Sequence, residues 1–88
     1  MEKAILYVVI PCYNEEPVIR ETEMRLSTKL DSMIKEEKIS EKSRIVFVDD
    51  GSKDNTWNII EEFYNNKKYV IGIKSSRNRG HQNTLLEG

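Results

Sequence analysis

Three short apolar runs, each cut off by a polar, turn-forming cluster, constrain this chain more than any other feature. They are Val8-Val9-Ile10 before Pro11-Cys12-Tyr13-Asn14-Glu15-Glu16, Val46-Phe47-Val48 before Asp49-Asp50-Gly51-Ser52, and Ile71-Gly72-Ile73 before Lys74-Ser75-Ser76-Arg77-Asn78-Arg79-Gly80-His81. Between the first two, Ile19, Thr22, Leu26, Leu30 and Met33 recur at steps of three and four. That spacing is one stripe of an amphipathic helix. It leaves Arg20, Glu21, Glu23, Arg25, Lys29 and Asp31 to face water. Pro17 suits the helix's first turn, with Asn14 or a glutamate as the cap, and the helix runs to about Lys38. Residues 39–43 read as a polar connection.

Residues 4–10 are continuously apolar, which predicts a strand buried on both faces. A second strand covers 44–48. Trp57, Ile60 and Tyr64, with Ile59 and Phe63 beside them, form the core stripe of a second helix, with Asp54 as its cap. A third strand covers 69–73, and a third helix begins over 80–87. The order is β-α-β-α-β-α. Each crossover is long enough for parallel pairing, so the chain reads as an α/β, three-layer, mostly parallel sheet in a single domain over 1–88.

In such a sheet the three polar clusters emerge on one edge, and ligands of open α/β sheets bind outside the carboxyl ends of the strands. Tyr13 offers a flat ring for a base, and Glu15 or Glu16 could hold a ribose hydroxyl. For Glu16, an acid complementing the helix dipole is the favoured alternative. Asp49 and Asp50 can accept from a base imide N–H or a ribose hydroxyl, or hold a metal. The less favoured alternative, least of all for Asp49, is that they serve as turn and cap residues beside Gly51 and Ser52. Arg77 and Arg79 match phosphate oxygens, or lie in a solvated loop. His81, without Cys or His partners, points to packing rather than metal. Cys12 reads as a small buried residue. The set suits a nucleotide-diphosphate ligand.

Other classes recede. With 14 basic and 15 acidic residues, the chain lacks the excess positive charge that nucleic-acid binding needs. One cysteine in 88 residues excludes an internal disulfide and fits a reducing compartment. No run approaches a membrane span, and the N-terminus does not read as a signal peptide. Cytoplasmic is the expectation. There is no G-x-G-x-x-G after the first strand and no G-K-[ST], which lowers dinucleotide enzymes and P-loop NTPases. A phosphoacceptor domain using the acid pair would need more strands than the three available.

Three segments, Val-Ile-Pro-Cys-Tyr-Asn-Glu-Glu at 9–16, Phe-Val-Asp-Asp-Gly-Ser-Lys-Asp-Asn-Thr at 47–56 and Ser-Arg-Asn-Arg-Gly-His-Gln-Asn at 76–83, resemble family 2 glycosyltransferases with the GT-A fold. The similarity is strongest to the polyprenyl-phosphate branch, which includes bactoprenol glucosyltransferases and dolichol-phosphate mannose synthases. The resemblance implies the N-terminal, nucleotide-binding half of that fold and a nucleotide-sugar donor, UDP favoured, with a polyprenyl phosphate as acceptor. It implies that Pro11, Tyr13 and Glu15 line the nucleoside pocket, that Asp49 contacts the base with Asp50 close by, and that Arg77 lies beside the nucleotide. No catalytic residue carries over. Family members use Mg²⁺ or Mn²⁺ through a D-x-D motif, absent from these 88 residues, so the chain alone is expected to transfer no sugar. The alternative is an inactive nucleotide-binding or assembly module that forms homo-oligomers through its sheet edge.

Overall fold

The structure, a computed structural model, describes residues 3–75 and the backbone of 82–84. Its elements are β1 (Tyr7–Cys12), α1 (Glu16–Lys35), β2 (Arg44–Asp49), α2 (Thr56–Asn66), β3 (Val70–Ser75) and β4 (Gln82–Thr84). They form one sheet in the order β1-β2-β3-β4, parallel across the first three strands. The α/β, mostly parallel architecture expected from the sequence is present. The third helix is not found where it was expected: residues 82–84 pair antiparallel with β3, and the rest of 80–87 lies outside the described residues.

Crossovers of one hand that advance steadily across a sheet place consecutive helices on the same face. Both helices here share one core with the sheet, built on Ile19 and Leu30 of α1, Ile45 and Phe47 of β2, and Ile59, Ile60 and Phe63 of α2. The Phe47 and Phe63 rings lie 5.7 Å apart at a tilt, and Val70 and Cys12 extend the cluster to the flanking strands. Trp57 does not reach full burial. It packs against the cluster half-buried, with the Lys74 ammonium 5.7 Å from its ring. Val46 points to the other face and is buried outside this cluster. The described residues thus supply two layers of the expected three.

That arrangement corrects the first strand. It starts later than expected, includes Pro11, and is covered on one face only, where Val8 and Ile10 are half-buried and Cys12 is buried. Tyr7 and Val9 are each 58 % exposed, because they project from the face opposite the helices and β1 stands at the sheet's edge. Leu6 and Cys12 direct their carbonyls to β2, accepting from Arg44 and Asp50 at 2.9 Å. Alternation then turns the backbone of Tyr7, Val9 and Pro11 outward. Pro11, lacking an N–H, sits where it breaks no bond of the sheet.

Two further expectations change. Glu23, expected in water, is 3 % exposed, its carboxylate accepting from Ser27 Oγ at 2.5 Å with Lys67 Nζ at 3.9 Å. The α1 stripe widens there because the C-terminal end of α2 closes over it. The connection between α1 and β2 also contributes to the core through Ile39 and the fully buried Ser43, whose hydroxyl accepts from Leu6 N–H at 2.9 Å. α1 stops at Lys35 rather than Lys38. Glu37 turns left-handed at φ 63°, and the N–H groups of Glu37 and Lys38 bond back to Ile34 and Met33, a Schellman closure without glycine.

Candidate functional site

The parallel register sets Cys12 beside Asp49, so the turns after β1 and β2 leave the sheet together. Pro11, Tyr13, Glu15, Asp49 and Asp50 all stand at this edge, and Arg77 lies outside the described residues. Tyr13 is 44 % exposed and Glu15 and Asp50 are half-buried. Asp49 is fully buried. Its two oxygens accept from Ser52, one from the backbone N–H at 3.2 Å and the other from the hydroxyl. Gly51 allows this tight return with φ 83°. Asp49 therefore builds the turn, and Asp50 and Tyr13 carry more of the accessible surface.

The two turns are sewn to each other. Asn14 N–H donates to Ser52 Oγ at 2.8 Å, and Lys53 N–H donates to Asn14 Oδ1 at 2.8 Å. Glu15 N–H donates to Thr56 Oγ1 at 2.9 Å, and Glu16 N–H to Asp54 Oδ2 at 3.2 Å. In return Asn55 N–H donates to Glu16 Oε1 at 3.1 Å. The first N–H groups of a helix lack partners within it. Here neither N-cap residue, Glu15 for α1 or Asn55 for α2, makes a side-chain cap bond, and each turn supplies acceptors to the other. Asp54 stands one residue before the cap position and still accepts from Thr56 N–H at 2.9 Å. Glu16 takes the helix-start role favoured for it. Sequence reasoning missed Asn14, Ser52, Asp54 and Thr56 as a unit. Only the Asp49-to-Ser52 closure, three residues apart, had a local signal.

The charges here respond to these contacts. The Thr56 hydroxyl, followed by the N–H groups of Thr56 and Glu16, holds the Asp54 carboxyl below its ordinary 3.8. A depressed carboxyl contributes stability that is present above its unfolded value and lost as pH falls through the folded one. The Glu16 and Thr56 amide shifts should therefore titrate together, with a midpoint below 3.8. Separate midpoints, or one at 3.8 or above, would contradict the shared bond. Burial, then the Glu15 and Asp49 carboxylates, pushes the Cys12 thiol up to about 12. At pH 8 it should react with a thiol reagent at least about a hundredfold more slowly than in urea, since the thiolate is the nucleophile. Equal rates would refute its burial.

Beside β1 and the first turns of α1 lies a cavity of 180 Å³ lined by Pro11, Cys12, Glu15, Val18, Thr22 and Phe47 among others. A larger one of 640 Å³, with Lys3, Ile34 and Ile39 in its wall, lies at the opposite end of the sheet, away from the strand-end turns. Among the described residues no three His, Cys, Asp or Glu side chains gather where they could hold a metal ion, and no helix is long and apolar enough to cross a membrane.

Comparison with known proteins adds the following. The model of the family described as glycosyl transferase family 2 matches residues 7–88. The chain is similar to the uncharacterized glycosyltransferase YkoT of Bacillus subtilis strain 168, with 51 % identity over 85 residues, covering 96 % of this chain and 25 % of the relative. It is 39 % identical over 89 residues to the uncharacterized glycosyltransferase YkcC of the same strain, covering 100 % of this chain and 26 % of the relative. It is also 39 % identical over 82 residues to the undecaprenyl-phosphate 4-deoxy-4-formamido-L-arabinose transferase of Shewanella sediminis strain HAW-EB3, covering 92 % and 23 %. The chain thus spans about a quarter of the length of these relatives. No solved structure matches it significantly.

Proposed function

Because this chain belongs to glycosyl transferase family 2, we propose that its two strand-end turns form the nucleotide side of a donor site. The ligand is a nucleoside-diphosphate sugar, UDP in preference to GDP. In the whole protein a hexose would pass from it to a polyprenyl phosphate. The observation that carries this reading is the gathering of Tyr13, Glu15, Asp49 and Asp50 at the carboxyl ends of two adjacent parallel strands, the place where open α/β sheets bind ligands. The acceptor is supported by a relative whose name specifies undecaprenyl phosphate. The buried, unpaired Cys12 fits a reducing compartment, hence the cytoplasm.

In this arrangement Tyr13 stacks on the base and Asp50 and Glu15 accept from base or ribose, while Arg77 would meet the phosphates. Mg²⁺ or Mn²⁺ at the pyrophosphate would supply charge neutralisation in the whole enzyme. The described residues do not assemble a ligand set for it, so the metal's ligands would come from elsewhere. Titration with UDP and with GDP, followed by amide shifts, tests the site. Shifts concentrated at 11–15 and 49–52 are expected, with Lys35→Ala leaving the affinity unchanged. Shifts scattered over the helices would overturn it.

A second reading, self-association, is favoured by the exposed edge of β1. With Val8 on a two-fold axis, Tyr7 and Val9 of one copy would pair with Val9 and Tyr7 of another, setting an aromatic ring beside a β-branched side chain. Pro11 would stop the ladder there. Light scattering at tens of micromolar should show a dimer that Val9→Pro, which removes an outward N–H without touching the bonds to β2, dissociates while the fold persists. A monomer, or a dimer indifferent to that proline, would exclude it.

A further inference from the structure

We propose that Asn14 and Ser52 are positioning residues that lock the β1–α1 and β2–α2 turns into one rigid ledge before any ligand arrives. The inference rests on the nucleotide reading above and goes beyond it by assigning a role to residues that need not touch the nucleotide.

The geometry runs as a relay. The buried Asp49 carboxylate, fixed at the end of β2, accepts from the Ser52 hydroxyl. That oxygen accepts in turn from Asn14 N–H, 38 residues away in sequence, at 2.8 Å. Asn14 then reaches back through its side chain to accept from Lys53 N–H at 2.8 Å. Asn14 lies between Tyr13 and Glu15, and Ser52 lies two residues beyond Asp50, so each linking residue is next to the side chains that would face the nucleotide. Of the bonds that join the two turns, these two lie nearest to those side chains, while the Glu15–Thr56 and Glu16–Asp54 bonds hold the helix starts behind them.

Residue type matters at Asn14. Its backbone is left-handed at φ 53°, a region open to glycine and, among other residues, most readily to asparagine and aspartate. Of these three, glycine has no side-chain acceptor. Asparagine meets both demands without adding a charge. Ordering a loop residue costs conformational entropy, and a site ordered during folding escapes that cost when the ligand binds. An exposed cross-link between turns thus acts on affinity more than on global stability.

Four variants separate this role from simple structural support. Asn14→Gly keeps the left-handed backbone and loses the Lys53 acceptor, Asn14→Ala loses both, Asn14→Asp restores both, and Ser52→Ala cuts the relay at its middle. Amide hydrogen exchange on the 88-residue protein, read beside UDP titration, should show Lys53 losing protection by about tenfold in Asn14→Gly, with α2 and β3 amides unchanged. Ser52→Ala should expose the Asn14 amide, and the same variant should deprotect Lys53 although that bond is not the one removed. The UDP dissociation constant should rise about tenfold in Asn14→Gly and in Ser52→Ala and return towards the original in Asn14→Asp. Unchanged affinity with a deprotected Lys53 would overturn the positioning role. Loss of Asn14 protection without loss at Lys53 would overturn the single ledge. If the unaltered protein binds no UDP, the nucleotide reading fails on its own, while the exchange data still decide whether the turns move as one.

Discussion

Phe47→Ala should cost this chain a large fraction of its stability. Phe47 sits at the middle of the inner strand with no exposed surface, and its ring meets that of Phe63 at 5.7 Å. Truncating such a side chain removes its transfer free energy and leaves a cavity, at about 3–5 kcal/mol. A domain of this size has roughly 4–13 kcal/mol in total, from about 0.05–0.15 kcal/mol per residue, so the loss is a large fraction. The cavity cannot close easily, because Ile60 and Ile45 beside it are themselves fully buried and fixed. Urea titration followed by circular dichroism measures it. Val9→Ala, on the exposed face, should shift the midpoint little. Similar shifts for the two variants would mean that the core does not lie on the helix side of the sheet.

Asp49→Ala should carry the second-largest effect, and it should act at two places. Loss of the carboxylate strips Ser52 of the acceptor for its N–H and its hydroxyl, at about 1–3 kcal/mol for partly buried groups. Because the same serine accepts from Asn14 N–H, the amide signals of the first turn should move although nothing there was altered. UDP affinity should fall along with stability. Asp49→Asn keeps one carbonyl oxygen for the Ser52 N–H and should recover part of both. An Asp49→Ala protein as stable as the original, with undisturbed signals at residues 13–15, would remove Asp49 from the centre of the turn.

The parts legible in the sequence were those with a local cause. The run Val46-Phe47-Val48 ends at Asp49 because the strand ends there, and Gly51 takes the left-handed conformation that a tight turn demands. Ile19 and Leu30 fell on the buried stripe of α1 as their spacing required. Glu23 did not, because its burial depends on Lys67 and the end of α2, which no period within α1 encodes. The first strand misled for a related reason: an unbroken apolar run looks the same whether both faces are covered or one lies open. At the site, the gathering of the acids was readable from strand order alone. The bonds joining the turns were not, since they link residues 38 to 41 apart in sequence and depend on which helix start faces which turn.

The parallel register has a consequence for how this chain folds as it is made. Every β1 residue meets a partner 37 positions later, from Tyr7 with Arg44 to Cys12 with Asp49, whereas β2 meets β3 only 25 positions on, from Ile45 to Val70. Local helix can form in α1 early, but the apolar segment ahead of it has nothing to pair with until the second strand emerges. At synthesis rates of about 5–20 residues per second that interval is roughly 2–7 s. For that time the most hydrophobic stretch of the chain waits outside the ribosome ahead of its partner, flanked only by Lys3 and Pro11 as breaks. Residues 4–10 are thus the segment most open to chaperone capture or to contact with neighbouring nascent chains before the sheet can form.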